Sequence, residues 1–333
     1  MSDREPAEKT EGRGVSRREA IRGALAALSC AAIAPGAVAA SQKRPSPPLS
    51  LTPKPRARFC LNTSTIRGQD SQVGVLDQVR IAAEAGYDAI EPWIRDLDRF
   101  VEEGGSLRDL GARIKDAGLA VPSAIGFARW AVDDDAERAA GLEEAKRNMG
   151  MLAEIGGTRL AAPPVGLTDQ KYEDLLTLAE RYATLLELGE EMGVVPQLEV
   201  WGFSKTFSRL GEVAFVAVES GRADACILPD VYHIYKGGSS LEGLRNLNGR
   251  SIQVFHLNDH PADPPRETIT DADRVFPGDG VAPFGELMAI LDAIEFDGVF
   301  SLELFNREYW QRDPLEVAKE GLRKMKAATG MAG

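Results

Sequence analysis

Three carboxylates and one imidazole stand near the ends of four successive apolar runs. They are Glu199 in Pro196-Gln-Leu-Glu-Val-Trp201, Asp230 in Cys226-Ile-Leu-Pro-Asp-Val-Tyr-His233, His256 in Ile252-Gln-Val-Phe-His-Leu257 and Glu303 in Val299-Phe-Ser-Leu-Glu-Leu-Phe305. A carboxylate in an apolar run is costly unless it is paired or holds a metal. Brought together, Glu199, Asp230, His256 and Glu303 form a first shell for one hard divalent cation. Oxygen donors with a single imidazole favour Mn²⁺, with Mg²⁺, Co²⁺ and Zn²⁺ as alternatives. Such an ion polarises a carbonyl and an adjacent hydroxyl, so the neighbouring C–H becomes acidic. Glu199 and Glu303, the catalytic candidates, lie on non-adjacent strands. One takes the proton and the other returns it from the far side, which gives epimerisation. With a leaving group on the β-carbon, the same first step leads to elimination.

The elements that must position these residues follow a rhythm. Helix-like stretches end at Gly86, Gly118, Gly156, Gly193, Gly221, Gly249 and Gly298, and a short apolar run follows each. Glycine suits the left-handed position that closes a helix. The runs read as strands: Tyr87–Trp93, Leu119–Phe127, Thr158–Ala162, Val194–Trp201, Ala225–His233, Ile252–Leu257 and Val299–Phe305, with Arg58–Thr65 ahead of them as the eighth. Leu142, Ala145, Met149 and Leu152 make an apolar helical stripe, as do Leu175, Leu178, Tyr182 and Leu185. Near-continuous apolar strands indicate a parallel sheet covered on both faces. The pattern predicts an α/β fold, one (β/α)₈ TIM barrel over residues 58–330. An open doubly wound sheet is the competing arrangement, weakened because no Gly-x-Gly-x-x-Gly fingerprint follows an early strand.

Glu199, Asp230, His256 and Glu303 all fall toward the C-terminal ends of their strands, where barrel enzymes place their chemistry. Glu91, five residues past Gly86, holds the matching place on the second strand and is expected to contact substrate. Trp93, Phe127, Trp130, Trp201 and Phe305 are expected to wall the pocket and offer flat faces for a ligand to stack on. His260 and Lys236 lie in loops on the same side.

With 44% hydrophobic residues the chain can bury a large core, and its net charge of −12 with no basic cluster in residues 58–330 argues against nucleic acid as a partner. No apolar stretch there approaches the length of a membrane span. The first 40 residues differ: Ser16-Arg17-Arg18-Glu-Ala-Ile-Arg22, an Ala-rich apolar segment and Ala37-Val-Ala39 resemble a twin-arginine export signal. Residues 1–40 are therefore expected to be removed on export to the periplasm or beyond, and 41–57 to form a Pro-rich linker. Cys60 and Cys226 read as buried thiols, while Cys30 lies in the leader.

The order Glu, Asp-x-x-His, His, Glu over strands five to eight resembles the sugar phosphate isomerase/epimerase superfamily, the xylose-isomerase-like barrels. Ala85-Gly-Tyr-Asp-Ala-Ile-Glu-Pro-Trp93 is similar to that family's second strand. Arg274-Val-Phe-Pro-Gly-Asp-Gly280 is similar to its loop after strand seven. The resemblance covers residues 58–329. It implies that Glu199, Asp230, His256 and Glu303 are the metal ligands, that His233 supports the ligands or touches substrate, and that Arg274 reaches substrate hydroxyls. A long loop from Asp259 to Arg274 leaves Arg266 as the alternative arginine. Family members include ketose 3-epimerases, inosose dehydratases and 3-dehydroshikimate dehydratases. The resulting expectation is an exported, metal-dependent isomerase or epimerase of a small sugar or polyol, with a possible homo-oligomeric state. A lyase or dehydratase on a keto-sugar, inosose or 3-keto-glycoside is the first alternative, and a non-catalytic sugar-binding protein the second.

Overall fold

Apolar runs with a glycine ahead of them become parallel strands, and the amphipathic stretches between them become their covering helices. The computed structural model describes residues 59–69 and 72–331. The expected leader, its cleavage site, Cys30 and the Pro-rich linker lie outside these residues. Seven strands are regular: β1 (Phe59–Asn62), β2 (Ala89–Glu91), β3 (Arg159–Ala162), β4 (Val195–Glu199), β5 (Ile227–Leu228), β6 (Val254–Leu257) and β7 (Val299–Leu302). They pair in parallel in the orders β2-β1-β7-β6 and β3-β4-β5.

Two seams close these sheets into a barrel. The expected third strand forms only isolated contacts: Ala120 pairs with Ala89, Ile125 with Trp93, and Ala124 with Leu160. Between them stands Pro122, which has no N–H to give a ladder. The second seam joins β5 to β6 through Ile227–Ile252 and Asp230–His256. The eight-position barrel is therefore the observed architecture, with one position irregular. β5 is also shorter than Ala225–His233. Pro229 interrupts it, and the Asp230 carboxylate accepts from the His233 N–H at 2.8 Å, capping helix α7 (Val231–Gly237). His233 therefore lies in the first turn of a helix and not at a strand end.

The remaining helices are α1 (Val75–Ala85), α2 (Ile94–Glu102), α3 (Leu107–Asp116), α4 (Asp135–Glu154), α5 (Leu175–Met192), α6 (Leu210–Glu219), α8 (Phe284–Ala293) and α9 (Pro314–Thr329). On α5, Leu178, Tyr182 and Leu185 are buried against the barrel, and the Tyr182 hydroxyl donates to Pro196 O at 2.9 Å. Each such side chain stabilises the fold by about 1.5–3 kcal/mol, and Leu185→Ala is expected to cost about 2–5 kcal/mol. Gly193 closes α5 with φ +70°, as the sequence predicts. Gly298 and Gly249 do not close helices in this way. A Cβ there would meet Gln253 O at 2.5 Å and Ile294 O at 2.4 Å, so glycine is needed for space. Among the described residues no helix is long and apolar enough to cross a membrane.

Candidate metal centre and its cavity

The barrel register places polar side chains at one level inside the C-terminal mouth. Asn62 on β1 stands opposite Glu91 on β2, and His256 on β6 opposite Ser301 on β7. Glu199 ends β4, Asp230 caps α7, and Glu303 directly follows β7. All of these residues are at most 3% exposed, so their charges are removed from bulk water.

Ligand-capable atoms of Glu199, His256 and Glu303 lie within 4.8 Å of one another. His256 Nε2 is 3.1 Å from Glu91 Oε2, and Nδ1 is 3.2 Å from Glu303 Oε2. Glu91 Oε2 also accepts from Ser301 Oγ at 2.7 Å and Asn62 Nδ2 at 2.9 Å. Nε2 thus carries the proton given to Glu91, and Nδ1 faces the cluster. Asp230 stands beside the cluster, with Oδ2 3.8 Å from His256 Nδ1. Its oxygens are engaged by the His233 N–H, by Asn258 Nδ2 at 2.7 Å and by Arg274 Nη1 at 3.1 Å.

Arg274 is fully buried. Nη1 also reaches Glu303 Oε2 at 3.0 Å, while Nη2 contacts His233 Nε2 at 2.9 Å and pairs with Asp271. The loop carrying it is held by Asp259, whose carboxylate accepts from Gly278 N–H at 3.0 Å, Gly280 N–H at 2.9 Å and Ala282 N–H at 2.9 Å. A Cβ at position 280 would meet His260 O at 2.2 Å, which accounts for the glycine in that motif. Of the two arginines weighed from sequence, Arg274 is the one at the site. Arg266 instead lies 6.0 Å from the Tyr235 ring.

The environments separate the titrations. Burial and the neighbouring Glu303 charge push the Glu199 carboxyl up to about 8. Burial also opposes the charge of Glu303, but His256 and Arg274 outweigh it and hold Glu303 ionised, below the usual carboxylate range. Burial works against the His256 imidazolium too, yet Glu303 and Glu91 overcome it and raise its pKa well above the ordinary value. Burial and the Arg274 charge push His233 the other way, down to about 3, so that ring is neutral. A neutral imidazole has one acceptor nitrogen, so Arg274 and the Gly202 N–H, 3.3 Å from Nδ1, compete for it.

Above the cluster opens a cavity of about 540 Å³, lined by Glu199, His233, Arg274 and Glu303 and by a wall of aromatic side chains. Trp93, Trp201, Phe127 and Phe305 are in that wall, as expected, together with Phe203 and Trp310. Glu91 and Trp130, also expected at the pocket, do not line it. Glu91 Oε2 is engaged by His256, Ser301 and Asn62, while its Oε1 has no hydrogen-bond partner. Trp130 is a core residue, packed on Tyr182 and Phe207 with its N–H on Pro163 O. His260 stacks on Tyr235 at 3.6 Å, away from the cavity, and Lys236 donates to the carbonyls of Arg266, Glu267 and Ile269. Asn62, Ser301, Asn258 and Asp271 belong to the site and were missed. Their signal was a polar side chain at the end of, or within, a strand or loop already assigned to the mouth. Cys60 and Cys226 are buried free thiols, as predicted.

The fold and this buried cluster define a barrel-type site for a divalent ion and a small ligand. The sequence model of the xylose isomerase-like TIM barrel family matches residues 79–328, and the chain belongs to that family. It is 27% identical over 272 residues to an inosose isomerase of Bacillus velezensis, covering 79% of this chain and 95% of that protein. A 3-dehydroshikimate dehydratase of Pseudomonas aeruginosa is 24% identical over 262 residues, 75% of this chain and 39% of that longer protein. Among solved structures, the IolI protein with a bound zinc atom superposes with TM-score 0.76 at 22% identity, covering 82% of this chain and 98% of that one. An L-ribulose 3-epimerase superposes with TM-score 0.67 at 18% identity, over 83% and 95% of the two chains. These homologues are isomerases, epimerases and dehydratases.

Proposed function

We propose that the protein is an exported, divalent-metal-dependent isomerase or epimerase of a sugar or polyol, acting by proton transfer beside a carbonyl. The observation that carries this reading is a buried carboxylate oxygen without a partner. Among the described residues, Glu199 Oε2 has no hydrogen-bond partner, although it lies in one cluster with the ion pair of His256 Nδ1 and Glu303. Leaving a buried polar atom unsatisfied costs free energy, and a cation held in that cluster removes that cost. The donor set fits a hard divalent ion, with Mn²⁺ favoured. Glu199, His256 and Glu303 would hold it, joined by Asp230 when its contact with Arg274 is exchanged for the ion. When bound, the ion supplies Lewis acidity to substrate oxygens.

This chain's residues do the rest. Glu91 fixes the His256 tautomer. Glu199 and Glu303 line the cavity and carry the proton between the two faces of the bound carbon chain. Arg274 and neutral His233 meet substrate oxygens beside them. The aromatic wall excludes water from the reacting carbon. A dehydratase or lyase on a keto-sugar, inosose or 3-keto-glycoside is the second reading, supported by the dehydratase relative, and shares the first proton abstraction.

Metal-loaded protein incubated in D₂O with a panel of ketoses, inososes and 3-keto-glycosides tests both readings. The expected result is deuterium at the carbon beside the carbonyl, in an epimerised product or in recovered substrate. Turnover without any exchange overturns proton abstraction. For export, Arg17→Lys with Arg18→Lys is expected to trap the precursor in the cytoplasm, and unchanged secretion would sink the twin-arginine assignment.

A further inference from the structure

Around the charged floor, the cavity wall is an arc of aromatic rings whose two ends meet it, Phe305 5.0 Å from the Arg274 guanidinium and Phe203 5.6 Å from the His233 ring. Phe305 lies 5.9 Å from Trp93, Trp93 5.2 Å from Phe127, Phe127 6.1 Å from Trp201, and Trp201 5.1 Å from Phe203. These rings come from chain segments following different strands, so the arc is assembled by the barrel mouth. Phe203, at its outer end, is 43% exposed. Contiguous exposed apolar surface in a concave site marks a place where ligand is bound.

The arc is poorly equipped for hydroxyl groups. The Trp93 N–H is given to Asn62 Oδ1 at 2.8 Å, and that of Trp310, on the cavity rim, to Ser64 O at 2.9 Å. Neither is left for a sugar. Each hydroxyl pressed against such a wall would lose water without gaining a partner. The floor is the reverse: Arg274 reaches Glu303 at 3.0 Å and His233 at 2.9 Å, Glu199 lies in the same cluster as Glu303, and Thr270, Asp271 and Arg307 add polar lining. A volume of about 540 Å³ is within the range that takes drug-sized ligands.

We propose that the ligand has two parts: a polyol or sugar end on the charged floor and a flat apolar substituent, such as an aryl group in glycosidic or ether linkage, on the aromatic arc. This rests on the reading of the floor as a sugar or polyol site. Phe203 and Trp201 then set specificity by contacting the substituent.

The test is calorimetry on the metal-loaded protein with matched phenyl and methyl glycosides over a panel of pyranoses, with phenol and an unsubstituted inosose as controls. A ring buried against such a wall is worth about tenfold in affinity, so at least one phenyl glycoside is expected to bind about tenfold tighter than its methyl partner. Phe203→Ala should bring that ratio close to one and leave metal content unchanged. Equal binding of the phenyl and methyl partners throughout overturns the proposal. So does a ratio unaltered by Phe203→Ala, or phenol binding as tightly as the conjugates. Deuterium exchange on inosose without a phenyl preference sinks this inference alone. A phenyl preference in a protein that takes up no metal sinks the metal-dependent reading alone.

Discussion

Two cavities of nearly equal volume open in this barrel. The one at the C-terminal mouth measures about 540 Å³, and the other, beside the N-terminal starts of the third barrel position and β3, about 530 Å³. The second is lined by Arg108, Lys115, Glu154 and Arg159 and by the ends of α3 and α4. Arg108 and Lys115 are exposed there, and Arg159 donates to Gln253. Water solvates Arg108, Lys115 and Glu154 at little cost, and only Arg159 is partly withdrawn from it, which lowers its pKa. At the mouth, four carboxylates, two imidazoles and a guanidinium are all within 3% of complete burial. Volume does not separate a site from a crevice. Charge held out of water does, because such charge is tolerated only where other groups or a ligand compensate it.

The strongest way to break this contrast is at the mouth. Glu303→Gln or Glu199→Gln, assayed at saturating metal, is expected to lower turnover about 10²–10⁴-fold. Near-full activity in either variant would make that glutamate a ligand only. The two histidines sharpen the point. His256→Ala is expected to abolish stoichiometric metal by elemental analysis, whereas His233→Ala should keep the metal and lower turnover. Glu91→Gln, behind His256, is expected to weaken metal affinity about 10–100-fold while leaving the cavity lining intact. Competition with a chelator measures this, and an unchanged constant would remove Glu91 from the site.

A smaller effect comes from pH. In the metal-free protein both Glu199, raised to about 8, and His256, raised well above its ordinary value, hold protons that an ion must displace. Protons released on binding mean that affinity rises with pH, here through pH 8 and beyond. Titration in buffers of different ionisation enthalpy reads that release, and pH-independent binding would contradict it. The smallest effect belongs to the other cavity. Arg108→Ala and Lys115→Ala are expected to change stability by no more than about 0.5 kcal/mol, with turnover unaltered. A large kinetic loss there would mean that the second cavity also carries function.

The sequence by itself determined the rhythm of strands and helices, the barrel and the convergence of Glu199, His256 and Glu303. Each of these rests on local chemistry: apolar runs, helix-closing glycines, and carboxylates too costly to bury without purpose. Pro122 and Pro229 broke two of the expected strands for an equally local reason, the missing N–H, which lay in plain view. The tertiary structure alone decided which further groups meet Glu199, His256 and Glu303. Asn62 donates to Glu303 across 241 residues, and Glu91 meets His256 across 165. Strand alternation tells which side chains face inward, but the stagger between strands decides which of them share a level. For that reason Glu91 became the partner of an imidazole and does not line the cavity. Trp130 went to the core for a similar reason, while Phe203 stayed at the rim. Asp230 reads from sequence as an equal ligand, yet Arg274, 44 residues away, takes its Oδ2. No local pattern encodes that competition, because it exists only when the loop held by Asp259 folds back over the barrel mouth.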